Sequence, residues 1–362
     1  MNILVIVDNP KSMPLELPGV EVASARDYLA EPRYSDLRNA KVFNLCRSYR
    51  YQTVGYYVSL LGAARGHRPM PSIATIQDLR LQPVIRVVSH ELEKLIQRAL
   101  KPLRSECFEL SIYFGKNVSE RYDRLCLALF NQFPAPFLRA KFRKRDHWEL
   151  ETVRVIGASD IPEIHHEFVV ERARKYFARG ARKRTRKPAR YELAILYDDD
   201  AAMPPSNKKA IQQFIKAGEG LGLGVETIGR DAYGRIGEFD GLFIRKTTAV
   251  NHHTFRFARR ATAEGLVVID DPDSILKCTN KVFMTELLER HRLRIPRTAI
   301  ISKETAGLVT EKIGFPCVVK KPDGSFSAGV MKFEDEAAMA AALPALFAES
   351  ELLLAQEFVP TA

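Results

Sequence analysis

Beyond residue 190, short apolar runs alternate with longer segments whose apolar residues recur at helical spacing. The runs YELAIL, GVETIG, FDGLFIR and LVVI predict strands, and the segments SNKKAIQQFIKAGEG, with Ser206 as N-cap, and TFRFARRATAEG predict helices. Such alternation with short connections is typical of a parallel sheet with crossover helices. Ligands gather at the carboxyl ends of strands in these sheets, and Asp198, Arg245 and Asp270 each stand at such an end.

The residues before 180 follow a less regular pattern. MNILVIV and KVFNLC predict short buried strands, and a helical segment after them ends in Gly66, a suitable C-cap. VVSHELEKLIQRAL predicts a helix with Ser89 as N-cap, CFELSIYFG a strand, and SERYDRLCLALFNQFP a helix that stops at proline. This mixture predicts an α/β domain, and it contains no recognisable catalytic constellation.

The last 80 or so residues combine lysines with a loop of small residues. Asn280 opens a predicted helix that ends before Pro296, and TAIIS and LLLAQEFV predict strands. FPCVVKKPDGSFSAGVMKF predicts two strands and a turn, and a turn of this kind taken alone is usually only structural. Here Lys281 begins the helix, Lys320 closes the first strand, and the loop offers free backbone amides that suit phosphate oxygens. Together these features predict a site for a triphosphate and an adenine.

Composition narrows the classes of protein. With 362 residues, two or three domains are expected, and 46% hydrophobic with 27% charged residues is typical of a globular chain. No run of about 18 apolar residues predicts a membrane span. Five scattered cysteines without a CxxC pair argue against a zinc site and favour reduced thiols, and therefore a cytoplasmic location. The start of the chain lacks the basic and long apolar regions of a signal peptide.

The net charge is +11, which suits an anionic partner. Seven basic residues and no acidic one lie in RGARKRTRKPAR, residues 179–190. A solvated linker is the favoured interpretation, because no aromatic residue is interleaved there to stack on bases. A nucleic-acid or ribosomal partner stays open as the alternative.

Two histidine pairs and one arginine are further candidate site residues. His252 and His253 are adjacent, so on a helix their side chains point about 100° apart, and no further metal ligand has a suitable spacing. His165 and His166 fail as a metal site in the same way. Arg245 could bind a substrate carboxylate through a bidentate contact, or it could form a surface salt bridge. We take Arg245 as the candidate catalytic residue.

The order of these features resembles the RimK-like peptide-ligase branch of the ATP-grasp family. The resemblance covers roughly residues 190–362 and is carried by DDPDSILKCTNK, Pro296, FPCVVKKPDGSFSAGV and LLAQEF. The first region resembles the domain found ahead of RimK-like ATP-grasp modules. The predicted organisation is an N-terminal α/β domain (1–178), a basic linker (179–190), a parallel-sheet pre-ATP-grasp domain (191–270) and a truncated ATP-grasp domain (271–362).

The resemblance implies a role for each matching position. Lys281 and Lys320 would meet the ATP phosphates, and Glu357 and Phe358 would hold the adenine. The loop that folds over the phosphates would include Gly324, Ser325 and Gly329, although Phe326 and Ala328 depart from the commoner G-x-G-x-G spelling. The magnesium ligands of the family are expected beyond residue 362, so none is assigned within the chain.

The implied activity is ATP-dependent joining of a carboxylate to an amine through an acyl phosphate. The cofactors would be ATP and Mg²⁺, and the partners a carboxylate and an amine, on an amino acid, a peptide or a protein terminus. The alternative is a nucleotide-binding sensor or scaffold without ligase activity, and an RNA-associated basic protein comes third. We expect the 362 residues to be a fragment that binds nucleotide weakly and does not turn it over.

Overall fold

The chain has the mixed α/β structure that was predicted, and it divides into two compact units. The computed structural model describes residues 3–17, 20–37, 40–178, 189–198, 204–324 and 329–360. The first unit holds Met1–Ala194 and Gln213–Asp240, and the second holds Ile195–Gln212 and Gly241–Ala362. All but two residues of the predicted basic linker lie outside the described residues, and the predicted domain boundaries stay predictions.

Strands and helices are interspersed throughout the described residues. The strands are β1 (Ile3–Val7), β2 (Glu21–Ser24), β3 (Lys41–Asn44), β4 (Arg68–Met70), β5 (Cys107–Tyr113), β6 (Phe137–Lys144), β7 (Trp148–Val155), β8 (Tyr191–Leu196), β9 (Leu223–Ile228), β10 (Gly241–Ile244), β11 (Val267–Ile269), β12 (Thr298–Ile301), β13 (Cys317–Lys320), β14 (Val330–Phe333) and β15 (Leu353–Glu357). The α-helices are α1 (Ala25–Ala30), α2 (Pro32–Ser35), α3 (Val54–Ala64), α4 (Ile73–Asp78), α5 (Gln82–Glu91), α6 (Glu93–Leu100), α7 (Asp123–Gln132), α8 (His166–Ala178), α9 (Lys208–Gly220), α10 (His253–Ala263), α11 (Pro272–Thr279), α12 (Lys281–Arg290), α13 (Leu308–Lys312) and α14 (Glu336–Glu349).

The first unit contains a parallel sheet with strand order β2-β1-β3-β4. Alternate residues of β1 enter two cores: Leu4 and Ile6 pack with α1, α2 and α3, while Val5 and Val7 pack with α8. From β1 the chain runs to β2 on one side, and from β3 it runs to β4 on the other. The space between β1 and β3 is therefore a topological switch point, where open α/β sheets bind ligands at the carboxyl edge.

A second sheet of the first unit is antiparallel, with strand order β5-β6-β7. One face is covered by α5, α6 and α7, whose apolar residues share a core with Leu138, Ala140 and Phe142 of β6. The residues that alternate with these on β6 are Arg139, Lys141 and Arg143, all half-buried on the opposite face. The sheet thus has an apolar face and a face rich in charge.

The second unit has a parallel pair and an antiparallel sheet. Strands β10 and β11 are parallel, which confirms the strand direction expected from their short helical connection. The antiparallel sheet has the order β12-β15-β13-β14. One of its faces packs on α13 and α14 through residues such as Val319, Val309 and Leu346.

Two of the predicted helix caps are wrong. Ser89 lies inside α5, where its hydroxyl accepts a hydrogen bond from the backbone N–H of Leu150 at 3.0 Å. Asn207 rather than Ser206 caps α9, because its side chain accepts from the N–H of Ala210 at 2.9 Å. In both cases the serine hydroxyl accepts a hydrogen bond from a residue distant in sequence, Leu150 for Ser89 and Arg245 for Ser206, instead of capping the helix. None of the helices among the described residues is long and apolar enough to cross a bilayer.

Candidate functional site

The strand–turn–strand unit predicted around residue 320 is present. Strands β13 and β14 pair in antiparallel register, with Lys320 opposite Val330. Gly329 re-enters β14 with a φ of +75°, in the left-handed region that favours glycine, and its carbonyl accepts from the N–H of Lys321 at 3.2 Å. Gly324 and Gly329 flank the loop, and Ser325, like Phe326 and Ala328, lies outside the described residues.

Lys320 lies on the face of this sheet that α13 and α14 do not cover. Its Nζ donates to Oε1 of Gln356 at 2.5 Å, and Nε2 of Gln356 donates to Oγ1 of Thr298 at 2.8 Å. Gln356 pairs with Thr298 on one side and with Val318 on the other, so these polar side chains share one face of the sheet. A neutral amide oxygen fixes the direction of the ammonium group without cancelling its charge.

Lys281 lies at the base of the same loop. Asn280 caps α12 as predicted, since its Oδ1 accepts from the N–H groups of Val282 and Phe283 at 3.1 Å each. The Nζ of Lys281 donates to the carbonyl of Gly324 at 2.7 Å, and its backbone N–H donates to the carbonyl of Pro322 at 2.9 Å. The start of α12 is therefore tied to the start of the loop.

The pKa of Lys281 is lowered from its usual value, chiefly because burial disfavours the charged form. The nearby carboxylate of Asp323 acts in the opposite direction, and the positive charge of Lys320 lowers the pKa further. The two ammonium groups are thus close enough to repel each other. An anionic ligand between them would relieve that repulsion.

The two residues assigned to adenine already have partners within the sheet. The carboxylate of Glu357 accepts from the backbone N–H of Arg297 at 2.8 Å and from its Nε at 2.7 Å, which lowers the pKa of Glu357. The ring of Phe358 lies 3.9 Å from Nζ of Lys332. Their contacts with adenine stay predictions. Gln356 was missed by sequence reasoning, because its place beside Lys320 depends on the register of β15 on β13.

Arg245 lies elsewhere in the second unit, directly after β10. Its Nε donates to Oγ of Ser206 at 2.9 Å, and a terminal nitrogen donates to the carbonyl of Pro205 at 3.1 Å. Its neighbour Lys246 forms an ion pair with Asp198 at 2.7 Å, which joins the carboxyl ends of β8 and β10. These contacts do not include the partners of Lys281 or Lys320.

Metal-binding geometry is absent from the described part of the chain. No three histidine, cysteine, aspartate or glutamate residues in that part are placed to hold a metal ion together. No metal ligand is therefore assigned among the described residues, and no step of the chemistry is assigned to a metal.

Comparison with known proteins identifies relatives for both ends of the chain. Residues 25–172 match the RimK-like ATPgrasp N-terminal domain, and residues 278–362 match the RimK-like ATP-grasp domain. The α-aminoadipate–LysW ligase LysX of Sulfolobus acidocaldarius is 41% identical over 70 residues, which are 19% of this chain and 25% of the relative. LysX of Saccharolobus solfataricus is 35% identical over 72 residues, 20% of this chain and 26% of the relative.

Solved structures give a weaker likeness. A RimK domain ATP-grasp protein from Sphaerobacter thermophilus superposes with a TM-score of 0.40 and 18% identity, over 47% of this chain and 65% of that one. A D-alanine–D-alanine ligase from Bacillus anthracis gives a TM-score of 0.38 and 13% identity, over 47% of this chain and 58% of that one. The match with LysX spans about a quarter of the length of those relatives. Both family matches are to domains of RimK-like ATP-grasp proteins, so the chain is similar to that family over residues 25–172 and again over residues 278–362.

Proposed function

We propose that the protein is an ATP-dependent carboxylate–amine ligase. The observation that supports this most directly is the pair Lys281 and Lys320, whose ammonium groups donate to uncharged oxygens beside a loop of small residues. The match of residues 278–362 with the RimK-like ATP-grasp domain supports the same activity. Since the curated relatives are matched over a quarter of their length, the activity of the whole protein is a proposal.

The proposed reaction has two steps. A carboxylate oxygen attacks the γ-phosphorus of ATP, the bond to the β-phosphate oxygen breaks, and an acyl phosphate and ADP form. The amine nitrogen then attacks the acyl carbon, phosphate leaves with the carbon–oxygen electron pair, and the amine loses a proton to give an amide. Lys281 and Lys320 would orient the phosphates and stabilise the charge that spreads over the transferred group.

The substrates are proposed to be an amino acid or a peptide or protein terminus. The relatives of which about a quarter is matched are named as α-aminoadipate–LysW ligases. Arg245, at the carboxyl end of β10, is proposed to bind a substrate carboxylate, because a guanidinium can contact both oxygens. The expectation that ATP binds together with Mg²⁺ stays a prediction.

Trapping of the acyl phosphate tests this function. The protein is incubated with ATP, Mg²⁺, hydroxylamine and single amino acids, and hydroxamate and ADP are measured. Equal amounts of both, dependent on one acid and lost in Lys320→Ala, are expected. Nucleotide binding by calorimetry, without ADP or hydroxamate for any amino acid or peptide offered, would instead favour a sensor or scaffold.

A further inference from the structure

The charged face of the β5-β6-β7 sheet carries two arginines directly opposite each other. Arg139 of β6 pairs with Arg154 of β7, and on its other side it lies opposite Ser111 of β5. Side chains in such positions have Cβ atoms about 5 Å apart, and like charges there destabilise the sheet. Among the residues described in the structure, neither guanidinium forms an ion pair with a carboxylate. The repulsion is therefore not cancelled by an acidic side chain of this part of the chain.

At the other end of the same face, the cations are paired with a carboxylate of the protein. Lys141 and Arg143 also lie on β6, and both contact Glu151 of β7, with nitrogen–oxygen distances of 3.0 Å and 2.7 Å. One carboxylate thus serves two cations at that end. The contrast confines the uncompensated positive charge to Arg139, Arg154 and their neighbours.

A third arginine reaches the same place from the parallel sheet. Arg139 donates from Nη2 to the carbonyl of Asp160 at 2.9 Å, and Arg47 donates from Nε to Oγ of Ser159, the preceding residue, at 2.9 Å. Both arginines therefore donate hydrogen bonds to the same short helical turn, Ala158–Asp160. These contacts use a carbonyl and a hydroxyl, so they direct the guanidinium groups without neutralising them.

The position of Arg47 connects this cluster to the switch point of the parallel sheet. Arg47 follows β3, and its backbone N–H donates at 2.8 Å to the carboxylate of Asp8, which follows β1. A side chain on Gly157 would come within 3.4 Å of Arg47, so the strand end and the turn are closely packed. Arg47 thus lies at the carboxyl edge of β1 and β3, where sheets of this kind bind ligands, and Arg139 contacts the same turn as Arg47.

Acidic and titratable groups near the cluster limit its charge without removing it. Asp8 is occupied by the N–H of Arg47, and the carboxylate of Asp160 accepts from the N–H of Gly157 at 3.2 Å. His165 hydrogen-bonds Tyr113 at 2.8 Å, and its pKa is lowered by burial and then by Arg139 and His166. The lowered pKa favours the uncharged form of this histidine, and the arginines carry the positive charge of the cluster.

We propose that Arg139, Arg154 and Arg47 form a binding site for the oxyanion group, phosphate or carboxylate, of a small molecule. This site goes beyond the proposed ligase activity and lies in the first unit. Guanidinium groups pair with such anions through parallel hydrogen bonds, and an anion between Arg139 and Arg154 would replace the missing carboxylate. A nucleic acid fits less well, because it requires a longer track of positive charge, and Glu151 interrupts the track on this face.

The test uses the full chain with Lys320→Ala, so that the proposed ATP site does not contribute. Binding of inorganic phosphate and of citrate is measured by calorimetry at low ionic strength. The combined change Arg139→Gln and Arg154→Gln should weaken the tighter anion at least about tenfold, as expected for lost charge-assisted contacts. Arg143→Gln, on the same face but already paired, should change affinity by no more than about twofold. The tighter of the two anions identifies the phosphate or the carboxylate class.

Thermal unfolding gives an independent reading and a check on folding. Without ligand, Arg154→Gln should unfold at the same or a higher temperature, because a repulsion has been removed, and phosphate or citrate should stabilise the parent more than the double variant. Equal anion affinity in parent and double variant would overturn the proposal. So would a single-stranded RNA oligonucleotide that binds more tightly than either anion and is weakened equally by Arg143→Gln and Arg139→Gln. Neither result would affect the proposed ligase function, whose test depends on Lys320.

Discussion

One group of buried or half-buried cations in each unit can be compared, and the two groups have different kinds of partner. In the second unit, Lys320 and Lys281 donate to an amide oxygen and a backbone carbonyl. In the first unit, Lys41 contacts the carboxylate of Glu238 at 2.6 Å, and Glu238 also lies 3.4 Å from Arg235. The neutral partners of Lys320 and Lys281 leave their positive charge available to a ligand. The carboxylate of Glu238 neutralises the charge of Lys41 and Arg235 within the protein.

The difference separates cations that stabilise a fold from cations that can serve a site. A neutral acceptor costs the ammonium little of its attraction for an anion, whereas a carboxylate partner must be displaced first. Lys321, next to Lys320, shows the contrast within one unit, because it forms an ion pair with Glu349. Substitutions that remove a carboxylate or a lysine from each arrangement should therefore have effects of very different size.

The largest effect is expected at Glu238. This carboxylate is 6% exposed, accepts from Lys41 and Tyr176, and lies beside Arg235. Glu238→Gln should lower the free energy of unfolding of the first unit by about 3–5 kcal/mol, because buried cations lose their partner. Urea unfolding followed by the fluorescence of Trp148, the single tryptophan of the chain, reports on that unit.

The same residue predicts a dependence on pH. Burial alone would raise the pKa of Glu238, but Lys41 and Arg235 outweigh it and lower the pKa to about 2. Because the folded value lies below the ordinary value of 4.5, the stabilisation is complete above 4.5 and is lost as the pH falls toward 2. The variant should lack this loss. An equal decline in both proteins over that range would show that other groups cause it.

A smaller effect on free energy, but a direct one on function, is expected at Lys320. Lys320→Ala should raise the dissociation constant for ATP about tenfold or more, since a charge-assisted hydrogen bond contributes about 1.5–3 kcal/mol. Lys321→Ala is the matched control, because that lysine is already paired with Glu349. Calorimetry with a full-length protein should therefore separate two adjacent lysines. An equal loss of ATP affinity in both variants would show that the kind of partner, neutral amide or carboxylate, does not decide whether a lysine contributes to ATP binding.

Sequence reasoning located the elements around Lys320 but not the side chain that holds it. The strands, the loop glycines and the Asn280 cap follow from local rules, and the structure has β13, β14 and the capped α12 where they were expected. Gln356 meets Lys320 from 36 residues away, and only the register of β13 on β15 places them together. Ser89 and Ser206 failed as caps for the same reason, because residues distant in sequence took their hydroxyls.

The smallest effect is expected at Glu151, which pairs with Lys141 and Arg143 on a half-exposed face. Glu151→Gln should lower the free energy of unfolding by no more than about 1 kcal/mol, because solvent screens ion pairs of this kind. The freed cations should also strengthen binding of phosphate to the first unit at low ionic strength, and the gain should fade as salt shortens the range of the charges. Urea midpoints and phosphate titrations at two salt concentrations measure both effects, with Glu149→Gln on the same strand as control. A loss of unfolding free energy as large as that of Glu238→Gln would mean that Glu151 stabilises the fold as strongly as a buried carboxylate does. Solvent exposure would then not determine how much each of these two carboxylates contributes to stability.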